Sequence, residues 1–258
     1  MRVTAVGCSG SFPGPDSPAS CYLVEAEHEG RTWRVVLDLG SGSLGPLQRY
    51  VDPRSLDAVV LSHLHPDHCL DVCGLYVMLS YGPDRPPGAG GRMRVLAPAD
   101  APDRLARAYG VDAPEPLDDR LDFEALRPRE PVRVGPFTIT PVPVWHPVEC
   151  YGLRVEADGA VLAYTADTDR CDTLDELCVD ATLVLADCAY VDGRDDDSHG
   201  VHMSGSRAAA AAVSAGGVAR LMLTHIPAWN APRVCHDQAA AVWPGEVEVC
   251  RPGQTYEL

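Results

Sequence analysis

The sequence predicts an α/β fold, and three observations carry that prediction. Short runs rich in β-branched residues recur in both halves of the chain. Stretches with helical spacing lie between and after them. One of the strands runs directly into a dense cluster of histidines and an aspartate, and a helical stretch follows. No short-period repeat is present.

Composition narrows the class. A chain of 258 residues with 46% hydrophobic content can bury a sizeable core, and we read residues 1–258 as a single domain. No apolar run is long enough to span a bilayer, and the first residues run straight into a strand rather than a secretory signal. A cytoplasmic protein with no membrane partner is expected. The ten cysteines are scattered without a C-x-x-C pair, so reduced, mostly buried thiols are expected rather than disulfides or a cysteine-built zinc site. The formal charge of −16, with no Lys/Arg cluster, argues against a long nucleic acid as ligand. A small phosphorylated substrate drawn to a cationic centre meets less of that unfavourable field.

In chain order, residues 2–6 alternate as a strand and residues 7–19 form a Gly/Ser/Pro-rich loop. Residues 21–26 and 33–39 read as a hairpin, with His28 solvated in its turn. Asp38 closes the second of these strands, in the stretch Asp38-Leu39-Gly40-Ser41-Gly42, and residues 43–50 read as a short helix. Residues 57–61 are a buried strand leading into Ser62-His63-Leu64-His65-Pro66-Asp67-His68. Pro66 argues against a regular helix through this motif. It is expected as a loop, with a helix over residues 69–81. Four metal-binding side chains within six residues, in the pattern H-x-H-x-D-H between a strand and a helix, point to a metal site rather than a chance polar loop. Imidazole with carboxylate suits zinc, and also manganese or iron.

This motif after a buried strand resembles the metallo-β-lactamase superfamily. The later residues resemble its ribonuclease Z-like phosphodiesterase branch, and the opening residues 7–24 look like actinobacterial members of that branch, some of which act on cyclic nucleotides. The resemblance covers nearly the whole chain. It implies a four-layer αβ/βα sandwich, with two loosely similar halves meeting near residue 130. It also implies that Asp38 lies beneath the metal loop and orients ligands. A plain strand-end turn is the competing account of Asp38.

Beyond the motif, residues 82–92 read as a flexible loop, 93–97 as a strand and 100–109 as a helix. Residues 113–131 are acidic and proline-punctuated, with one short strand at 121–125. Residues 137–144 alternate and reach His146, which the resemblance makes the third metal histidine. Residues 151–156 and 160–165 form a hairpin that ends before Asp167. A carboxylate there could simply cap the next helix. The resemblance instead makes Asp167 a carboxylate bridging two ions, and leaves Asp169 as the expected cap. Residues 182–186 are a strand ending at Asp187, followed by an acidic loop expected to be solvated, then His202 and a helix capped by Ser204 or Ser206. Residues 218–224 are the last buried strand, ending at His225, and His236 lies in a later helical stretch with no assigned role.

The resemblance implies two divalent metal ions, zinc first. His63, His65 and His146 would hold one and Asp67, His68 and His225 the other, with Asp167 shared. It makes Asp67, His202 and Asp187 the catalytic candidates, with His202 protonating the leaving group. The branch carries a glutamate where this chain has Asp187, one methylene shorter, which leaves its reach to His202 open. Histidine at position 65 speaks against a redox di-iron site, and His68 with Asp167 against a true β-lactamase. Only 20 residues separate His146 from Asp167, too few for the long arm of the tRNA-processing members. A small phosphodiester such as a 3′,5′-cyclic nucleotide therefore ranks first and 3′-tRNA processing second. A thioester or lactone hydrolase ranks third, and a non-catalytic metal-binding protein is the alternative from another class. Family members are often homodimers, which the sequence neither requires nor excludes.

Overall fold

The computed structural model describes residues 1–82, 91–113 and 115–258. The chain begins with β1 (Arg2–Gly7), β2 (Cys21–His28), β3 (Arg31–Leu37), a one-turn α1 (Leu44–Leu47) and β4 (Ala58–Val60). Next come α2 (Pro66–Cys69), α3 (Val72–Tyr81), β5 (Met93–Ala97), α4 (Ala101–Tyr109), α5 (Glu115–Asp118) and β6 (Leu121–Ala125). The second half carries β7 (Val132–Val134), β8 (Phe137–Pro143), β9 (Tyr151–Ala157), β10 (Ala160–Tyr164), α6 (Thr173–Cys178) and β11 (Leu183–Asp187). It closes with α7 (Gly205–Ala215), β12 (Leu221–Thr224), α8 (Pro232–Ala240), β13 (Val247–Val249) and β14 (Thr255–Glu257).

These strands build two seven-stranded sheets, ordered β14-β1-β2-β3-β4-β5-β6 and β13-β12-β11-β10-β9-β8-β7. In each sheet antiparallel pairs occupy one side and parallel pairs the other. The chain changes sheets between β6 and β7, which is the division expected near residue 130. Only β14 returns to the first sheet, beside β1.

The period-2 pattern of the strands explains the layering. In β3, Val35 and Leu37 point into the core between the sheets, while Val36 points to the helical side. In β4, Ala58 and Val60 face inward and Val59 outward. The inter-sheet core gathers Tyr22, Phe137, Leu153, Leu162 and Tyr164. Leu47, Leu75 and Leu105 cover the outer face of the first sheet, and Leu174, Ala208 and Cys235 cover that of the second. Both faces of both sheets are therefore buried, and the result is a four-layer αβ/βα sandwich.

Some expectations need correction. The motif's second half is helical: Pro66 opens α2 at its first position, where the missing N–H costs nothing. The helix expected over 69–81 is broken, because α2 ends at Cys69 and α3 begins at Val72. Asp169 does not cap the next helix; α6 begins at Thr173 after Asp172, and neither side chain makes a capping bond. Ser204 does cap α7, accepting from Arg207 N at 3.4 Å. The one-turn α5 and the short strands β7, β13 and β14 were not read from the sequence, since three or four residues carry too little periodicity. The loop expected at 82–92 falls mostly on residues outside those described.

Backbone bonds lace the motif to the end of β3. Leu39 N donates to His68 O at 2.8 Å, Asp71 N to Leu39 O at 3.1 Å and Ser41 N to Pro66 O at 3.2 Å. Gly40 permits this approach, because a Cβ there would sit 1.9 Å from Asp67 O. Gly40→Ala is expected to lose at least about 1–3 kcal/mol of stability. An unchanged urea midpoint would refute the tight approach.

Candidate metal centre

The chemistry-bearing side chains gather where the strands end, the usual place for a site in α/β sheets. Asp38 follows β3, His63 and His65 follow β4, and His146 follows β8. Asp167 follows β10, Asp187 ends β11 and His225 follows β12. Three of these junctions turn through a left-handed residue other than glycine: Asp38 at φ 59°, Ala166 at 52° and His225 at 55°. Such conformations are unfavourable for L-residues and collect at functional sites.

Among the described residues, three clusters of possible ligand atoms form, each within 4.8 Å. The first is His63, His65, His146 and Asp167, the second Asp67, His68, Asp167 and His225, and the third Asp167, Asp187, His202 and His225. Asp167 belongs to all three. In the first, His65 Nδ1 lies 3.1 Å from both His63 Nε2 and His146 Nε2. In the second, His68 Nε2 and His225 Nε2 stand 3.2 Å apart. They lie 3.1 and 3.3 Å from Asp167 Oδ1, and Asp67 Oδ2 is 3.2 Å from His225 Nε2.

Neighbouring groups aim these rings. His146 Nδ1 donates to Val201 O at 3.0 Å, turning Nε2 inward. His68 Nδ1 donates to Asp38 Oδ2 at 2.7 Å. The same carboxylate oxygen accepts from Tyr164 OH at 2.8 Å and Ser62 Oγ at 2.9 Å, while Oδ1 accepts from Ser62 N at 2.7 Å. Ser62 Oγ also lies 3.1 Å from His63 Nδ1, so Asp38 reaches a ring of each of the first two clusters. It is therefore more than a strand-end turn. Ser62 and Tyr164 were not singled out from sequence. The signal for Tyr164 was a tyrosine at a buried strand end, whose hydroxyl needs a partner.

Asp187 reaches His202 despite its shorter side chain: Oδ2 accepts from His202 Nδ1 at 3.0 Å. Its other oxygen lies 3.3 Å from His225 Nδ1, a contact the sequence did not suggest. Asp169 stands apart from the clusters, accepting from Gly200 N at 2.9 Å and pairing with Arg207 at 3.3 Å. His236 and His28 lie away from the centre, each beside an adjacent acidic residue.

Electrostatics separate the rings into two kinds. Burial pushes the His63, His65 and His146 imidazoles down, which favours the neutral form that binds metal. Burial opposes charge on His225 too, but Asp167, Asp187 and Asp67 push it up to about 10. His68 is likewise raised against burial, by Asp167 and Asp38. Burial alone would raise the Asp67 and Asp167 carboxyls, yet His225 and His68 hold both well below the carboxylate range. Four buried carboxylates, Asp38, Asp67, Asp167 and Asp187, demand positive charge here. Asp167 Oδ1 is buried and, among the described residues, meets the His68 and His225 Nε2 atoms without a well-directed hydrogen bond. A carboxylate oxygen facing converging imidazole nitrogens fits a divalent cation. The His/Asp clusters fit a metal site.

Fold and site together define a class. Residues 33–226 match the Beta-lactamase superfamily domain, and the chain belongs to that superfamily of metal-dependent hydrolases, with the metallo-beta-lactamase fold. Among its relatives, an uncharacterized protein of Mycobacterium tuberculosis is 41% identical, over 100% of this chain and 92% of that protein. The probable metallo-hydrolase YhfI of Bacillus subtilis is 32% identical over the full length of both. The crystal structure of YhfI superposes with a TM-score of 0.83 at 29% identity, covering 99% of this chain and 98% of that one. A ribonuclease Z of Haloferax volcanii is 27% identical over 100% of this chain and 95% of that protein. Among the described residues, no helix is long and apolar enough to cross a membrane.

Proposed function

We propose that this protein is a dinuclear, zinc-dependent phosphodiesterase acting on a small phosphodiester, with a 3′,5′-cyclic nucleotide as first candidate. His63, His65 and His146 would hold one ion and Asp67, His68 and His225 the other, with Asp167 shared. When bound, the ions supply charge that stabilises developing negative charge on oxygen and lowers the pKa of water from near 16 to about 7.

The observation that carries the phosphodiester reading is the Asp187–His202 pair, 3.0 Å apart beside His225. With Nδ1 engaged by Asp187, His202 holds its second proton at Nε2, free to pass to a departing alkoxide. Burial opposes that charge, but Asp187 raises the His202 pKa above its ordinary value. His202 therefore stays protonated to higher pH than a free histidine.

Asp38 acts through the ligands rather than on substrate. Asp38→Asn would set an amide N–H₂ or a carbonyl against donors now served by one carboxylate. Metal affinity is expected to fall about 10- to 100-fold. Competition with a zinc-sensitive dye measures this; wild-type affinity would remove the orienting role.

Substrate size follows from charge and from the connection between His146 and Asp167. The net charge is −16, and the β9–β10 hairpin takes up most of that connection. The likeness to ribonuclease Z favours a second reading, 3′-tRNA processing. The ten cysteines are all free, eight of them buried, which suits the cytoplasm. The deciding experiment is hydrolysis of 3′,5′-cyclic AMP by metal-loaded protein, with Asp67→Ala alongside. Turnover lost in the variant is the expected result. No turnover with metal bound would pass the lead to precursor tRNA.

A further inference from the structure

We infer that Phe12 and Trp229 form a stacking platform for the planar base of the substrate, on loops that pack against the His225 side of the metal centre. Phe12 is 43% exposed and Trp229 60%, and their ring centroids are 5.1 Å apart. A single exposed aromatic residue needs no explanation. Here two loops far apart in sequence each raise one ring to the same place.

Both loops are anchored to the candidate ligand His225. Ser11 N lies 3.3 Å from His225 Nε2, so Phe12 is the next residue after a backbone group that touches a ligand nitrogen. Gly10 N donates to Ile226 O at 3.3 Å, and a Cβ on Gly10 would sit 2.2 Å from His225 O. Ser11 takes a left-handed φ of 64°, and Ser9 Oγ donates to Phe12 O at 2.8 Å. Trp229 stands four residues beyond His225, on a turn closed by Asn230 N donating to Pro227 O at 2.9 Å. Asn230 is buried; its Nδ2 donates to Ala189 O at 2.8 Å and its Oδ1 accepts from Arg194 at 2.7 Å. The backbones that carry the rings are thus held in advance of binding, which reduces the ordering cost a ligand must meet.

The chemistry of the ligand follows. A phosphodiester would engage the centre through its anionic phosphate, which leaves its base to be held by contacts away from the ions. A neutral planar base gains from aromatic faces without needing charge, and every base has such a face. The platform therefore selects nucleotides over aliphatic phosphodiesters, with only a small preference among bases. The inference rests on the phosphodiesterase reading for the phosphate's place.

Calorimetric binding of adenosine 5′-monophosphate and of ribose 5-phosphate to metal-loaded protein tests it. Wild type is expected to bind the nucleotide more tightly. Trp229→Ala and Phe12→Ala should each weaken the nucleotide roughly 5- to 100-fold and change ribose 5-phosphate by less than about twofold. Trp229→Phe should retain the discrimination. Equal binding of the two ligands by wild type, or discrimination that survives Trp229→Ala, would overturn the platform. So would a dimer lost in Trp229→Ala with discrimination unchanged, since the rings would then belong to a contact with a second copy. Discrimination without hydrolysis of any phosphodiester would remove the catalytic reading and keep the platform; hydrolysis without discrimination would do the reverse.

Discussion

Asp167→Ala is expected to bind fewer metal ions per chain than wild type and to lose turnover of every phosphodiester tested. The carboxylate is the one group common to all three clusters, and among the described residues its buried Oδ1 makes no well-directed hydrogen bond. The nearby carboxylates are otherwise engaged, Asp67 against His225 and Asp187 against His202. The loss of activity should exceed the about 10²-fold that removal of an orienting neighbour can cost a metal site. Elemental analysis after gel filtration, with circular dichroism to confirm the fold, makes the measurement. Unchanged metal content would refute the shared-ligand role.

His202→Ala should separate substrates by leaving group. An alkoxide must receive a proton as it departs, whereas nitrophenolate leaves unaided. Turnover of a cyclic nucleotide should fall about 10²- to 10⁴-fold, the usual worth of a positioned general acid. Bis(p-nitrophenyl) phosphate should lose far less, and equal losses on both would sink the assignment. The pH dependence follows from the sign of the shift. Asp187 favours the protonated ring, so His202 titrates above its ordinary value. Turnover that needs the acid should decline as pH rises through that raised value. Asp187→Asn removes the favouring charge, so the alkaline limb of the kcat profile should move to lower pH. A limb that stays in place would show that another group sets it.

Much of this centre was legible because its elements are local. H-x-H-x-D-H spans six residues, and the strand before it is a continuous apolar run. The other positions, His146, Asp167, Asp187 and His225, each stand at or just beyond the end of a strand whose pattern is readable. What escaped was set by contacts across the fold. Asp169 looked like a helix cap, but the loop carrying Gly200 and the helix carrying Arg207 draw its carboxylate away. Pro66 looked like a barrier to helix, yet at the first position of α2 it starts one. Tyr164 joined Asp38 across 126 residues, which no local pattern records.

The sequence by itself determined the kind of chemistry and the alternation that buries both faces of each sheet, because residue type and period are local properties. Tertiary structure decided the rest. Only the packing of two sheets could bring Asp187 within 3.0 Å of His202 in spite of its shorter side chain. It also placed the same carboxylate against His225 and set Phe12 against Trp229, 217 positions away in the sequence. Such distances depend on how strand ends converge, and convergence is a property of the whole core rather than of any segment.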